Sequence, residues 1–141
     1  MADDELRRLQ NDTEILVKDG ETELAINKYT SFIKRHAAGS EYNAKTLAMA
    51  WNNRGHLRYL SVDFHGAIED YTTALQLNPR FVVSYYNRGQ IHYRMGRFEQ
   101  AIDDLERALQ LDPTFTDALL NLNQAKKDLL IKLSYTDNSE N

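Results

Sequence analysis

The chain has 141 residues, a formal net charge of −4 and no cysteine. This length suits one domain with a continuous core and leaves no room for an additional catalytic domain. The acidic balance argues against non-specific nucleic-acid binding, which needs a basic surface, so we expect no nucleic-acid partner. No apolar run approaches the ~20 residues that cross a bilayer, and the start Met-Ala-Asp-Asp-Glu does not resemble a signal peptide. We therefore expect no membrane association and an intracellular, cytoplasmic protein.

The first segment with helical spacing covers about residues 6–36 and predicts two helices. Its apolar side chains recur at the three- and four-residue intervals that place them on one helix face. Gly20 lies between the two halves and can end the first helix. About eight residues are inserted around residues 37–45, where a glycine–serine pair indicates a loop and Ser40 or Thr46 can cap the next helix.

Residues 48–81 and 82–115 are two copies of one 34-residue unit. Aligned without a gap, both copies contain Asn-Arg-Gly, Ala-Ile, Ala-Leu-Gln-Leu and a closing proline at matching positions. The apolar spacing within each copy predicts two helices, which bury their apolar faces by stacking on neighbouring units. Gly96 suits the turn between the two helices, whereas Val62 fits badly there, and Gly66 inside a predicted helix has no explanation in the sequence.

Two acidic pairs, Glu69-Asp70 and Asp103-Asp104, recur at the repeat period on the predicted second helices. Their repetition indicates architecture rather than catalysis, and we interpret both pairs as solvated, outward-facing side chains. The 4 histidines lack the spacing of metal sites, and no phosphate-binding loop or catalytic motif occurs. We therefore expect no catalytic residues, no metal, no cofactor and no enzyme activity.

Residues 116–133 repeat the beginning of a unit, but no second helix follows them. One helix there would cap the exposed end of the last repeat, with a polar outer face formed by Lys126, Lys127, Asp128 and Lys132. Residues 134–141 are too polar to bury and are expected to form a disordered tail.

The residues at the repeated positions closely resemble the tetratricopeptide repeat (TPR) family, strongly over residues 48–115 and with a degenerate copy over residues 6–36. The resemblance implies an all-α fold, a TPR-type α-solenoid of three helix-turn-helix repeats plus a C-terminal capping helix, in a single domain over residues 1–133. The positions that carry it are Trp51 and Tyr85, Gly55 and Gly89, Ala67 and Ala101, Tyr71 and Leu105, Ala74 and Ala108, and Pro79 and Pro113.

In that family the first helices of successive repeats line a concave groove that takes an extended peptide or a partner helix. The resemblance therefore implies a monomeric, non-catalytic adaptor whose partner is a peptide or helix of another protein. Helical phase then gives the following groove residues: Met49, Asn52, Asn53, His56, Tyr59, Val83, Tyr86, Asn87, Gln90, Tyr93 and Arg94.

A carboxylate clamp of basic and amide residues lets some family members grip the acidic C-terminus of cytosolic chaperones. In this chain Asn53 matches the amide of the second repeat. Gln10 and Glu14 occupy the first-repeat positions, and Val83 and Asn87 occupy the third-repeat positions. Without cations the charge-assisted hydrogen bonds are lost, and Glu14 repels a carboxylate. We therefore expect chaperone C-terminal tails not to be partners.

Two other interpretations stay open at this point. The chain can be a structural subunit that docks into a larger assembly through its convex acidic face or its solenoid ends. It can also self-associate through the degenerate first repeat or the C-terminal helix. Fold analogy supports binding in general and does not name a partner.

Overall fold

The computed structural model describes residues 2–37 and 43–139, and all regular structure in this part of the chain is helical. The prediction of an all-α fold is therefore confirmed. The chain divides into two compact units, Met1–Phe81 and Val82–Asn141, so the single domain over residues 1–133 stays a prediction. The helices are α1 Ala2–Lys18, α2 Thr22–Ala37, α3 Ala44–Leu60, α4 Phe64–Leu77, α5 Val82–Arg94, α6 Phe98–Leu111 and α7 Thr116–Ser139.

The core of the first unit is built around α2, which lies against both α1 and α3. Tyr29 and Phe32 of α2 are buried in one cluster with Leu6 of α1 and Leu57 of α3. Residues 25, 26, 29, 32 and 33 of α2 are all buried, which is the three- and four-residue spacing of one helix face. The sequence pattern therefore located this core correctly.

The core of the second unit lies between α5, α6 and α7. Leu105 and Ala108 of α6 are buried together with Ala118 and Leu122 of α7. The helix α7 continues to Ser139, so residues 134–139 are helical where the sequence predicted a disordered tail, and residues 140–141 lie outside the described residues. A helix can continue through polar residues because its backbone hydrogen bonds are local and need no burial.

Each repeated hairpin brings its two helices close together at a glycine of the first helix. A Cβ atom added at Gly55 of α3 would lie 3.0 Å from the ring of Tyr71 on α4. One added at Gly89 of α5 would lie 3.1 Å from Leu105 on α6. The second helix therefore covers the face of the first helix that carries this glycine, and a larger residue there would force the helices apart.

The three turns between paired helices have the same backbone conformation. Gly20, Val62 and Gly96 have positive φ angles of 81°, 63° and 75°. The residue after each of them donates its N–H to a carbonyl five residues earlier, at 2.8 Å in all three turns. This bond closes the first helix in the way that a left-handed residue makes possible. The expectation that Val62 fits this position badly is confirmed, because a branched side chain disfavours positive φ.

Side-chain caps explain two features of the chain. Asp63 caps α4 by accepting the Gly66 N–H at 3.0 Å, and a Cβ atom on Gly66 would lie 2.3 Å from a carboxylate oxygen of Asp63. Gly66 therefore leaves room for the cap. Asn43 caps α3 by accepting the Lys45 N–H at 2.9 Å, in place of the predicted Ser40 or Thr46. Residues 38–42 of the predicted insertion, Ser40 among them, lie outside the described residues.

A buried ion pair joins the first and second helices of each repeated hairpin. Arg54 of α3 donates through Nε and Nη2 to the two carboxylate oxygens of Asp70, at 2.9 and 2.8 Å. Arg88 of α5 makes the same two bonds to Asp104, at 2.8 and 2.7 Å. This planar two-bond geometry is the strongest that arginine and a carboxylate form.

The interpretation of both acidic pairs as solvated is therefore wrong for one member of each pair. Asp70 is 1% exposed and Asp104 is 6% exposed, whereas Glu69 and Asp103 are exposed. Helical phase could not reveal this arrangement, because the aspartates are buried by pairing with arginines of another helix. Asp70 and Asp104 are therefore not available to a docking partner.

The repeat position four residues after the paired arginine differs between the two hairpins. Arg58 of α3 adds a third bond to Asp70, at 3.1 Å, and His92 stands at the equivalent position of α5. His92 Nε2 lies 3.9 Å from Asp104, and its buried Nδ1 has no hydrogen-bond partner among the described residues. Burial lowers the pKa of His92 below the ordinary value of 6.5, although Asp104 acts in the opposite direction and Arg88 and Arg97 add to the lowering.

We expect Val62→Gly to raise the free energy of unfolding by about 1 kcal/mol, because glycine removes the steric cost of positive φ. Urea denaturation measures this change. Val62→Ala keeps a Cβ atom and is the matched control, with an expected gain of less than half as much. Gly96→Val should reproduce the strain in the second unit and destabilise the protein. Equal stabilities of the glycine and alanine variants at position 62 would contradict the argument.

Replacement of Asp70 by asparagine should lower the free energy of unfolding by about 3 kcal/mol or more, because Arg54 and Arg58 would keep buried charge without its counter-ion. Glu69→Gln removes the same charge from an exposed neighbour and should change stability by less than about 0.5 kcal/mol. Urea denaturation of the two variants separates the predictions. Similar losses in both would mean that overall charge, not the buried pair, sets the effect.

Acidification should weaken the fold through His92. Because the pKa of His92 is lower in the folded state, the unfolded state binds more protons once the pH falls below about 6.5. The contribution of neutral His92 is complete above that pH and is lost as the pH falls from 6.5 towards the lowered pKa. We expect His92→Gln to reduce the loss of urea midpoint between about pH 7.5 and about pH 5.5. An unchanged loss would contradict this assignment.

Candidate peptide-binding faces

Three of the predicted groove residues form a continuous row on α3, which we call the α3 face: Met49, Asn53 and His56. Met49 and His56 are exposed and Asn53 is half-buried. Their spacing of four and three residues places them on one side of the helix. Asn52, the neighbouring candidate, is buried, so its side chain does not contribute to this face.

Asn53 is held in place by polar side chains beneath it. Its amide lies next to the hydroxyl of Tyr29 on α2, and the Thr13 hydroxyl lies 3.2 Å from that Tyr29 oxygen. Burial raises the pKa of Tyr29, so this hydroxyl stays protonated at neutral pH. Sequence reasoning missed Thr13 and Tyr29 as supports, because they come from two other helices.

Tyr59 has a mainly structural role on α3. Its half-buried ring stacks on Phe64 of α4 with centroids 5.7 Å apart, and on His56 at 6.3 Å. The ring of Tyr93 contacts Phe98 of α6 at the equivalent position, with centroids 5.6 Å apart and the rings tilted by 52°. Equivalent contacts in both hairpins favour the interpretation that this pair of tyrosines supports neighbouring helices.

The equivalent row on α5, which we call the α5 face, consists of Val83, Asn87 and Gln90. Val83 is exposed, and the two amide residues are half-buried. These residues stand 34 positions after Met49, Asn53 and His56. Each first helix thus presents an apolar side chain, then an amide, then a second polar group. Arg94 is exposed at the end of α5 and adds a positive charge there.

Tyr86 is fixed next to the α5 face by three contacts within the second unit. Its hydroxyl oxygen accepts hydrogen bonds from Gln90 at 2.9 Å and from Asn121 of α7 at 3.2 Å. Its ring packs on Phe115 with centroids 4.6 Å apart. Burial raises the pKa of Tyr86, and nearby Asp117 adds to the effect, so the group stays protonated. Because the oxygen already accepts two bonds, its own O–H can donate to a ligand carbonyl or carboxylate.

Tyr93 donates its hydroxyl to Asp128 of α7, and this bond raises the pKa of Tyr93. Asp128 also accepts a bond from Gln124 at 3.1 Å. The bonds that Tyr86 and Tyr93 make to Asn121 and Asp128 form a polar ladder between α5 and α7. Sequence reasoning missed Asn121 and Asp128, although both pairs are separated by 35 residues along the chain.

The described residues contain no group of three or more His, Cys, Asp or Glu side chains placed to hold a metal ion. Among the same residues, no helix has both the length and the apolar character that a bilayer crossing requires. The polar and aromatic side chains of the α3 and α5 faces can form hydrogen bonds and apolar contacts. They contain no activated nucleophile or acid–base pair.

Comparison with known proteins agrees with this arrangement. A family model described as Tetratricopeptide repeat matches residues 82–115, and one described as TPR repeat matches residues 55–96. The first TPR of Spaghetti (RPAP3) bound to HSP90 peptide SRMEEVD is 25% identical, with a TM-score of 0.74 over 86% of this chain and 90% of that chain.

Two further structures have the same fold at lower identity. The second TPR domain of human RPAP3, in complex with HSP70 peptide SGPTIEEVD, is 24% identical, with a TM-score of 0.70 over 84% of this chain and 92% of that one. The TPR domain of Arabidopsis OM64 is 24% identical, with a TM-score of 0.73 over 86% of this chain and 93% of that one.

The expectation that chaperone C-terminal tails are not partners is wrong. It is contradicted by the two similar domains that hold HSP70 and HSP90 peptides. The sequence argument considered only the charges around a terminal carboxylate, namely the missing cations and the repulsion by Glu14. A peptide such as SRMEEVD also has apolar side chains and a backbone, and their burial and hydrogen bonds contribute to binding without those cations.

Taken together, the matched repeats, the seven helices of the described residues and the structural neighbours show one fold class and support one family. Residues 55–115 match models of the tetratricopeptide repeat, and the fold of the chain is an all-α solenoid of the TPR type.

Proposed function

We propose that this chain is a non-catalytic protein-interaction adaptor that binds an extended peptide of another protein through its first-helix faces. The observation that carries the proposal is the similarity to the first TPR of Spaghetti, which is bound to HSP90 peptide SRMEEVD. That similarity extends over 86% of this chain and 90% of that chain.

The chemistry of the α3 face supports peptide recognition. An amide side chain both donates and accepts, so Asn53 can bond the backbone of an extended peptide, which offers alternating N–H and C=O groups. The Tyr29 hydroxyl next to it limits the positions of this amide and so reduces the entropy lost on binding. Exposed Met49 provides a flexible apolar surface beside it that adapts to different side chains.

The α5 face repeats this chemistry with additional polar groups. Asn87 stands at the position equivalent to Asn53, and Val83 replaces Met49 as the apolar contact. Tyr86 adds a hydroxyl whose position is fixed by Gln90 and Asn121. A fixed donor next to an apolar side chain suits a peptide that combines carboxylates with apolar residues, as SRMEEVD does. We take acidic chaperone C-terminal peptides as the candidate ligand class.

The test is the affinity of the fluorescein-labelled peptides SRMEEVD and SGPTIEEVD for the full chain, measured by fluorescence anisotropy. We expect Met49→Asp and Val83→Asp each to weaken binding by about tenfold, since each removes an apolar contact and places a negative charge next to an acidic peptide. Tyr86→Phe should weaken binding through loss of its O–H donor, while the ring contact with Phe115 is retained.

Leu24→Asp is the matched control, because it adds the same charge at an exposed leucine of α2, a second helix. It should leave the affinity within about twofold of the original value. Circular dichroism establishes that every variant is folded. The proposal is contradicted if neither peptide binds at up to about 1 mM, or if the control weakens binding as much as Met49→Asp and Val83→Asp do.

A further inference from the structure

One face of α7 is apolar and uncovered. Leu119, Leu130 and Leu133 are 47%, 67% and 47% exposed. Together with Asn123 and Lys126 they follow the spacing of four, three, four and three residues that defines one stripe along a helix. We call these five residues the α7 stripe. The sequence predicted a polar outer face here, but Asp128 instead bonds Tyr93, and the ammonium of Lys132 lies 5.8 Å from the ring centre of Phe98.

The N-terminal part of this stripe, Leu119, Asn123 and Lys126, has equivalent positions on the two repeated first helices, and there those positions are covered. Asn123 stands 34 positions after Gly89, which in turn stands 34 positions after Gly55. Gly55 contacts Tyr71 of α4 and Gly89 contacts Leu105 of α6, so the second helix of each hairpin lies directly on this face. No second helix follows α7 within the described residues. Leu119, Asn123 and Lys126 therefore lie on the surface on which a first helix receives its partner helix, and Leu130 and Leu133 extend the stripe beyond the positions that α3 and α5 provide.

The charge in this stripe indicates the chemistry of a helix that would cover it. Lys126 stands at the position of Arg58 and His92. In both complete hairpins this position faces an aspartate of the second helix: Arg58 lies 3.1 Å from Asp70 and His92 lies 3.9 Å from Asp104. Lys126 lies 3.8 Å from Glu106 of α6, but both side chains are about half exposed, and such a pair contributes little and exchanges partners easily.

We propose that the α7 stripe docks an acidic amphipathic helix of a partner protein, which lies on α7 as α6 lies on α5. Leucine-like side chains of that helix would cover Leu119, Leu130 and Leu133. An aspartate or glutamate between them would pair with Lys126. This surface is separate from the α3 and α5 faces, so the inference does not depend on the proposed peptide function.

A second copy of the chain is a poorer occupant. An antiparallel pair of α7 stripes would place Leu119 against Leu133 of the other copy and would bring the two Lys126 side chains together at the centre. Like charges that face each other at an apolar contact oppose association. An acidic helix removes this repulsion. An anionic lipid surface would pair with Lys126 and Lys127, but it would not explain why the lysine of the stripe stands at the position that faces an aspartate in both hairpins.

The test uses the full chain and a fluorescein-labelled peptide with the sequence of α6, Phe-Glu-Gln-Ala-Ile-Asp-Asp-Leu-Glu-Arg-Ala-Leu-Gln-Leu, blocked at both ends. It is an acidic amphipathic helix that already covers a first helix in this protein. We expect anisotropy to show binding, with a loss of about tenfold or more in Leu130→Asp and in Leu133→Asp. A peptide with both aspartates changed to lysine should bind at least fivefold more weakly.

Lys126→Glu provides the reciprocal test, because it should weaken the acidic peptide and strengthen the lysine peptide. Leu24→Asp is the matched control and should leave binding unchanged. Peptide binding that survives Leu130→Asp would overturn the proposal, since the peptide would then be exchanging with α6 on α5. No binding of the acidic peptide at up to about 1 mM would overturn it as well.

Two further outcomes would replace the acidic helix by another occupant. Light scattering that shows a dimer lost in Leu130→Asp would assign the stripe to a second copy of the chain. Flotation with phosphatidylserine-containing vesicles, lost in the Leu130→Asp variant and accompanied by no peptide binding, would assign it to a lipid surface. Either result contradicts the proposal.

Discussion

In each repeated hairpin a carboxylate of the second helix lies buried beside a glycine of the first, and an arginine of the first helix holds both of its oxygens. Asp70 and Asp104 cannot be buried without these bonds, because an unpaired buried charge costs several kcal/mol. The planar guanidinium accepts only a narrow range of positions for its carboxylate. The pair therefore restricts how each first helix is rotated against its second helix.

That rotation decides which side chains of the first helices face outward. With Arg54 and Gly55 turned towards α4, Met49 and His56 are left exposed on the side away from it. The same constraint in the second unit exposes Val83 on α5. The α3 and α5 faces are thus a consequence of the buried pairs, although no residue of the pairs belongs to a face. This explains how a repeated core can carry surfaces whose exposed residues differ from repeat to repeat.

The two hairpins share one architecture, and they differ at single repeat positions where the residue changes the stability of the hairpin. Val62 holds a conformation that glycine adopts freely at position 96, so the turn of the first unit is the strained one. His92 replaces Arg58 and leaves the second buried carboxylate with one charged partner at hydrogen-bond distance. In α7 the equivalent position is Lys126, and no second helix that would cover it follows within the described residues. Each difference follows from one position of the repeat.

Sequence alone determined the helices, their pairing and the turn positions, because the 34-residue period and the three- and four-residue apolar spacing are local properties. It also placed Asn53 and Asn87 on equivalent faces. Only the tertiary structure decided that Asp70 and Asp104 are buried, that Asn52 is inaccessible, and that Asn121 and Asp128 bond Tyr86 and Tyr93. These outcomes depend on side chains from other helices. The periodicity along a single helix does not give the distances between side chains of different helices.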